Sequence, residues 1–182
     1  QSMDITSLKA VIKELSLLIV PSRFETAQQS EKSTVQLGFR TIKSLIWIEL
    51  SWSAEIARLV QINSPKKHGH QSTLARQIKN VLKGMALVGI HQSGFERIVD
   101  FHLSSRPGIK AEKNLIIEIM GRHSNLILKE SNNKIITLGR QVRNHQSRVR
   151  PLSTGDIYIA PPPLKTKKPS SKETFEQWRK NI

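Results

Sequence analysis

Hydrophobic residues near the start of the chain recur every three or four positions, which is the spacing of one face of an α-helix. The residues that share this spacing are Ile5, Leu8, Val11, Ile12, Leu15 and Leu18. Asp4 or Thr6 is suited to cap the start of such a helix, and Pro21 ends it. The pattern predicts an amphipathic helix over residues 5–19.

Short segments rich in β-branched and aromatic residues follow, and several alternate with period two, which is typical of strands. They predict a first strand that begins within residues 23–28. Further strands are predicted at residues 34–39, 46–52 and 55–62. After a loop at residues 63–70, Ser72 begins a second amphipathic helix that Gly84 ends. Five short apolar runs come next, at residues 86–90, 98–103, 115–119, 126–128 and 134–138. We predict an α+β fold of about eight strands, with one helix before them and one inserted midway.

The end of the chain loses this periodicity after Arg150 and Pro151. Three consecutive prolines at residues 161–163 favour an extended backbone, and residues 164–172 have the composition of a linker. A short helical pattern returns at residues 173–180. We therefore expect one domain over residues 3–163, with Met3 as the natural start, followed by a basic linker and the beginning of a helix over 164–182.

Positive charge is concentrated in the later part of the chain. The 182 residues contain 29 Lys and Arg against 14 Asp and Glu, a net charge of +15. Residues 61–182 hold 22 of the basic and 8 of the acidic side chains, and residues 61–83 hold no acid at all. Such a field attracts polyanions, because neutralising phosphates releases counterions. Nucleic acid is the leading partner class; a solvated basic surface and an anionic membrane are the alternatives.

Several classes of protein do not fit the composition. The chain has no cysteine, which excludes disulfides, cysteine-based zinc and iron–sulfur sites and a thiol nucleophile. His68 and His70 form a close pair without neighbouring carboxylates, so we expect no metal and no cofactor. Phosphate loops and nucleophile elbows are missing, and nothing in the pattern indicates an enzyme. No segment resembles a secretion signal or a spanning helix, so we expect a soluble intracellular protein.

Two segments stand out from an ordinary scaffold. Glu96 and Arg97 place a charged dyad directly before an apolar strand, and this dyad is open to a functional or a structural interpretation. A polar string lies between two hydrophobic strands and consists of Met120, Gly121, Arg122, His123, Ser124 and Asn125. Because Ser124 and Asn125 are good partners for backbone groups, we favour a structural turn there.

These segments resemble the amino-terminal domain of the NFACT family, also called fibronectin-binding-protein-A-like, which includes RqcH and NEMF. The resemblance covers nearly the whole chain, and the string at residues 120–125 is its most specific part. Further matching positions are Met3-Asp4, Leu74 to Leu87, Phe95-Glu96-Arg97-Ile98, Arg150-Pro151, Gly155-Asp156, Tyr158 and Pro161-Pro162. The pattern is most similar to the cyanobacterial and plastid branch, which implies a cytoplasmic location, with the plastid as the alternative.

The resemblance implies a β-sandwich flanked by helices, like the amino-terminal domain of the Fpg/Nei DNA glycosylases. It does not imply their chemistry, because the chain lacks their amino-terminal Pro-Glu pair and their zinc finger. Family members bind large ribosomal subunits obstructed by peptidyl-tRNA and recruit tRNA for template-free extension of the stalled chain. The expected partners are therefore tRNA, the large ribosomal subunit and other domains of the same longer chain.

The resemblance also implies a tRNA-binding role for Glu96 and Arg97, which correspond to an Asp-Arg dyad in the family. Glu in place of Asp lengthens the carboxylate arm by one methylene. Four arginines that lie close in sequence are candidates to line a groove for the RNA backbone: Arg140, Arg143, Arg148 and Arg150. With only nine aromatic residues, recognition of folded RNA by shape is favoured over base stacking. The alternatives are a DNA-binding module without glycosylase activity and a protein-interaction or adhesion domain.

Overall fold

The computed structural model describes residues 3–92, 97–142, 150 and 152–161. Both predicted helices are present, with α1 at Ile5–Ile19 and α2 at Thr73–Leu82. Asp4 caps α1 by accepting a hydrogen bond from the backbone N–H of Ser7 at 2.8 Å. Ser72 caps α2 in the same way, and Gly84 follows that helix at a φ of +86°, a conformation that favours glycine. The capping signals of the sequence therefore fix both helix starts.

Nine antiparallel strands lie in the described residues. Their bounds are β1 at Ser22–Glu31, β2 at Thr34–Arg40, β3 at Leu45–Ser51, β4 at Arg58–Ile62, β5 at Ala86–Gln92, β6 at Ile98–Ser104, β7 at Lys113–Glu118, β8 at Asn125–Glu130 and β9 at Ile135–Leu138. They form one sheet in the order β4-β3-β2-β1-β5-β6-β7-β8-β9. The described part of the chain is thus α+β, as predicted.

The sheet folds over on itself where β1 meets β5. Only two residue pairs join these strands, Ser22 with Leu87 and Arg23 with Ala86. Phe39 of β2 and Phe101 of β6 stack with their ring centroids 6.5 Å apart. Three strand spacings would separate β2 from β6 by roughly 14 Å in a flat sheet. The first half-sheet, β4-β3-β2-β1, therefore faces the second half-sheet, β5-β6-β7-β8-β9. The predicted sandwich takes the form of one continuous sheet.

Each helix contacts both halves of the sheet. α1 packs against β4 and β5, while α2 packs against β1 and β9. The buried face of α1 consists of Leu8, Leu15 and Ile19, and that of α2 consists of Ala75, Ile78 and Leu82. Both faces join the main core between the half-sheets, so helix packing and sheet folding bury the same apolar surface.

A second, smaller cluster covers the other face of the second half-sheet. Ile116 and Ile127 belong to this cluster, whereas their neighbours Leu115 and Leu126 belong to the main core. Leu152 and Tyr158, from the segment after β9, complete the cover. Because both faces of β7 and β8 are buried, their sequences are continuous apolar runs rather than alternating ones.

The structure refines three predictions, and two others stay open. The described residues hold nine strands rather than about eight, because each apolar run after α2 forms its own strand. β1 continues beyond residue 28 to Glu31, where it still pairs with Thr34 of β2, and β4 begins at Arg58 instead of residue 55. The predicted boundary at residue 163 and the terminal helix lie outside the described residues.

Candidate nucleic-acid interface

Arg97 lies beside the start of α1. Its guanidinium donates a hydrogen bond to the carbonyl oxygen of Met3 at 2.9 Å, and its own carbonyl accepts one from the N–H of Ile119 at 2.8 Å. The pKa of the Asp4 carboxyl is lowered, chiefly by hydrogen bonds from Ser7 and in small part by the positive charge of Arg97. Glu96, the other member of the predicted dyad, lies outside the described residues.

The half-buried side chain of Arg97 has donors to spare within the described residues. A guanidinium carries five N–H donors, and the bond to Met3 uses one of them. This bond joins the start of β6 to the residue before the α1 cap, so it also contributes to the local fold. Arg97 is therefore placed to hold the chain and to offer a charge-assisted donor to a phosphate or a base edge.

The polar string at residues 120–125 forms a compact turn between β7 and β8. Gly121–His123 is a single 3₁₀ turn, and Gly121 has a φ of +58°, which favours glycine. The hydroxyl of Ser124 accepts a hydrogen bond from the N–H of Met120 at 2.8 Å. Ser124 is buried, whereas Arg122 and His123 are exposed. Ser124 and Gly121 therefore shape the turn, and its two basic residues point to solvent.

Asn125 connects this turn to Arg140. Its Oδ1 accepts hydrogen bonds from the backbone N–H groups of Leu126 and Arg140, both at 2.9 Å. Its Nδ2 donates to the carbonyl of Arg140 at 2.7 Å. The Arg140 guanidinium in turn lies 3.4 Å from the carbonyl oxygens of Arg122 and Ser124. The fold thus brings two predicted groups together: the family string and the first arginine of the basic segment.

The sequence patterns did not predict that Arg122 and Arg140 lie close together. Arg122 was assigned to a structural turn, and Arg140 to a separate basic segment 18 residues later. The amide of Asn125 makes them neighbours, and no periodicity or charge count predicts that contact. Arg143 and Arg148, which were expected to extend the same groove, lie outside the described residues.

Arg150 forms a largely buried ion pair with Glu118. Its guanidinium lies 2.5 Å from Oε2 of Glu118, and the two side chains are 11% and 0% exposed. The hydroxyl of Tyr158 donates to the same carboxylate oxygen at 2.6 Å, and Nε of Arg150 donates to the carbonyl of Ile159 at 2.7 Å. Burial, followed by the charge of Glu118, raises the pKa of Tyr158. Arg150 therefore helps to hold the segment after β9, and its expected contact with an RNA phosphate stays a prediction.

Four carboxylates of the described residues form ion pairs with Lys or Arg: Glu25 with Arg40, Glu49 with Arg58, Glu118 with Arg150 and Glu130 with Lys113. A fifth, Asp100, lies 3.4 Å from Nε2 of His102. Many later cations are exposed and form no ion pair with any described residue, among them Lys66, Lys67, Arg76, Lys83, Arg106, Lys110, Arg122 and Lys134. The positive charge therefore remains available at the surface.

Within residues 3–92, 97–142 and 152–161, no three His, Asp or Glu side chains cluster as metal ligands would. In the same part of the chain, no helix has the length and apolar character needed to cross a membrane.

Comparison with known proteins defines the family to which this chain belongs. Residues 4–182 match the family model described as the NFACT N-terminal and middle domains. The chain belongs to the NFACT family, and the resemblance noted from its sequence is confirmed.

Curated relatives extend the comparison. The Rqc2 homolog RqcH of Streptococcus pneumoniae is 29% identical over 172 residues, which are 92% of this chain and 31% of the relative. The Rqc2 homolog RqcH of Bacillus subtilis is 34% identical over 88 residues, covering 47% of this chain and 15% of the relative. The chain thus spans about a third of the length of the S. pneumoniae protein.

Two solved structures share the fold closely. The amino-terminal domain of the fibronectin-binding protein PavA from S. pneumoniae superimposes with a TM-score of 0.80 at 28% identity, over 97% of this chain and 68% of that one. The amino-terminal part of the fibronectin/fibrinogen-binding protein of Streptococcus suis gives a TM-score of 0.81 at 26% identity, over 96% and 68%. The expected likeness to the Fpg/Nei glycosylases and to the cyanobacterial branch stays a prediction.

Proposed function

We propose that this domain is a non-enzymatic RNA-binding module of a ribosome-associated quality-control factor. Its partners are tRNA and the large ribosomal subunit that carries an obstructed peptidyl-tRNA. In this role it helps to recruit tRNA for template-free extension of the stalled chain. The observation that carries the proposal is the set of exposed, unpaired cations on a domain of the NFACT family.

The charge distribution favours a polyanion over a neutral protein partner. Because the exposed cations named above form no ion pair with any described residue, their association with a phosphate backbone breaks no such pair. Each phosphate that these cations neutralise releases counterions and adds affinity that falls with salt. The domain holds few aromatic side chains, so stacking of splayed bases contributes little, and a folded RNA fits better than an extended single strand.

Arg97 adds selectivity to this general attraction. Its guanidinium lies next to the α1 start, where it donates to Met3, and its backbone carbonyl accepts a hydrogen bond from Ile119. The remaining guanidinium donors have no partner among the described residues. A guanidinium held in this way can form a bidentate contact to phosphate or to a guanine edge, whereas a mobile lysine acts as a point charge. The dyad thus supplies orientation, and the surrounding cations supply affinity.

The test is Arg97→Ala against the control Lys43→Ala, which removes the same charge from the exposed turn between β2 and β3. We expect Arg97→Ala to weaken binding of a labelled tRNA transcript at least tenfold and the control to change it less than threefold. Circular dichroism and thermal unfolding check that loss of the Met3 bond leaves the fold intact. Equal affinities for both variants would overturn the role given to Arg97.

A protein-binding role is the second candidate, because the solved structures that share the fold carry the names of fibronectin- and fibrinogen-binding proteins. Surface plasmon resonance with immobilised fibronectin, beside the same tRNA transcript, separates the two. Binding to fibronectin without binding to tRNA would favour this candidate. Competition by duplex DNA of equal charge tests the remaining alternative, a DNA-binding module.

A further inference from the structure

A groove of about 610 Å³ lies between the 65–70 loop and the first half-sheet. The loop joins β4 to α2. One wall of the groove consists of Ser30 of β1 and Gln36 of β2, and the loop itself forms the other. Gln36 belongs to the sheet face opposite the main core, since its neighbours Val35 and Leu37 both enter that core.

The 65–70 loop is fixed to β1. Gln29 and His70 exchange two backbone hydrogen bonds of 2.9 and 2.7 Å, and the side chain of Gln28 donates to the carbonyl of Lys67 at 3.4 Å. The loop approaches so closely at Gly69 that a Cβ there would lie 2.7 Å from the carbonyl oxygen of Gln29. The groove is thus preorganised, so a ligand would not have to order the loop.

The groove carries positive charge that nothing nearby neutralises. Lys66 and Lys67 are exposed and form no ion pair with any residue that the structure describes. The sequence contains no Asp or Glu from residue 56 to residue 95. Glu49, which Gln36 contacts at 3.1 Å, is already paired with Arg58.

Helix α2 extends this positive surface. The guanidinium of Arg76 donates to the carbonyl of Gln71 at 2.7 Å, directly after the loop. Arg76 and Lys83 are both exposed. Helix α2 therefore adds two exposed cations to the element that follows the groove loop in sequence.

We propose that the groove between the 65–70 loop and β1–β2 binds the phosphate backbone of RNA, with Lys66 and Lys67 as the phosphate contacts. The inference rests on the proposed RNA-binding function. It adds a second RNA-contact surface, and Arg97 is not part of this surface. Two lysines and two imidazoles line the groove, with no Phe, Tyr or Trp among the lining residues, so phosphate contacts by the lysines are expected to dominate over base stacking. Its physical role is to supply affinity and to fix the orientation of an RNA that Arg97 also touches.

The decisive variant is the double substitution Lys66→Ala with Lys67→Ala in the 182-residue chain. Its matched control, Lys13→Ala with Lys43→Ala, removes the same charge from exposed positions in α1 and in the β2–β3 turn. Binding of a labelled tRNA transcript is measured by fluorescence anisotropy at several salt concentrations. The groove variant should lose affinity about tenfold, and its slope of log K against log salt should fall by roughly 1.5, because each phosphate contact contributes about 0.7–0.9. The control should change neither quantity appreciably.

A second variant tests the geometry without changing charge. Gly69→Ala forces the loop away from Gln29 and should weaken tRNA binding while the net charge stays the same. Unchanged tRNA affinity for Gly69→Ala, or equal losses of affinity for the groove variant and its control, would overturn the proposal that RNA binds in the groove. A groove variant that loses duplex DNA binding but keeps tRNA binding would also overturn it. If the unsubstituted chain bound no tRNA at all, the proposed function itself would fail, which is a distinguishable result.

Discussion

Replacing Arg150 with methionine should lower the free energy of unfolding by about 3–5 kcal/mol, because it leaves a buried carboxylate without its cation. Methionine keeps most of the length of the side chain and removes the charge. Glu118 is fully buried, and the guanidinium of Arg150 is only 11% exposed. Solvent therefore cannot take over the role of the lost partner.

The magnitude depends on how the Glu118 carboxylate is held. Oε2 receives the Arg150 guanidinium at 2.5 Å and the Tyr158 hydroxyl at 2.6 Å. Oε1 is buried and has no hydrogen-bond partner among the described residues. After Arg150→Met, the tyrosine bond alone would stabilise the charge, and a hydrogen bond to a charged group contributes only about 1.5–3 kcal/mol.

Urea unfolding followed by circular dichroism measures the effect. Arg140→Met is the matched control, because its half-buried guanidinium contacts only two carbonyl oxygens at 3.4 Å. This control should cost about 0.5 kcal/mol or less. The double variant of Arg150→Met with Glu118→Gln should cost less than the two single variants added together, since it removes both charges.

A loss below about 1 kcal/mol for Arg150→Met, or a loss equal to that of the control, would refute the ion-pair argument. It would also return Arg150 to the set of candidate phosphate contacts. The stability measurement therefore separates a structural arginine from one that is available to RNA.

Two further predictions concern packing and titration. Gly139→Ala should destabilise the fold by about 1–3 kcal/mol and shift the tryptophan fluorescence, because its Cβ would lie 2.5 Å from the Trp52 ring; an unchanged midpoint and spectrum would contradict this. The Asp4 carboxyl should titrate below its usual value in an NMR experiment, mainly because Ser7 donates hydrogen bonds to it. A lowered pKa means that Asp4 stabilises the fold above its unfolded-state pKa and that this contribution disappears as pH falls through the lowered pKa. A midpoint at or above the usual value would show that the cap does not hold the charged form.

Sequence patterns predicted most of the helices and strands because the interactions that form these elements are between residues close in sequence. The three- and four-residue spacing of α1 and the caps at Asp4 and Ser72 act over one or two helical turns. Strand ends were less accurate, since β1 extends to Glu31 only because Thr34 of β2 is there to pair with it. Pairing between strands decides such ends, and no single segment carries that information.

The folding of the sheet could not be predicted from periodicity. The contact of Phe39 with Phe101 joins residues more than sixty positions apart and depends on the short ladder between β1 and β5. The same limit applies to the candidate interface. Charge counts located a basic region, but the pairing of Arg150 with Glu118 and the meeting of Arg122 with Arg140 both depend on tertiary structure.

The central claim is that the exposed cations of this NFACT domain bind RNA. Fluorescence anisotropy of the 182-residue chain with a labelled tRNA transcript, over a range of salt concentrations, tests this claim most directly. The account predicts saturable binding whose log K falls linearly with log salt, with a slope that corresponds to several phosphate contacts. Absence of binding at low salt, or binding that does not respond to salt, would contradict it.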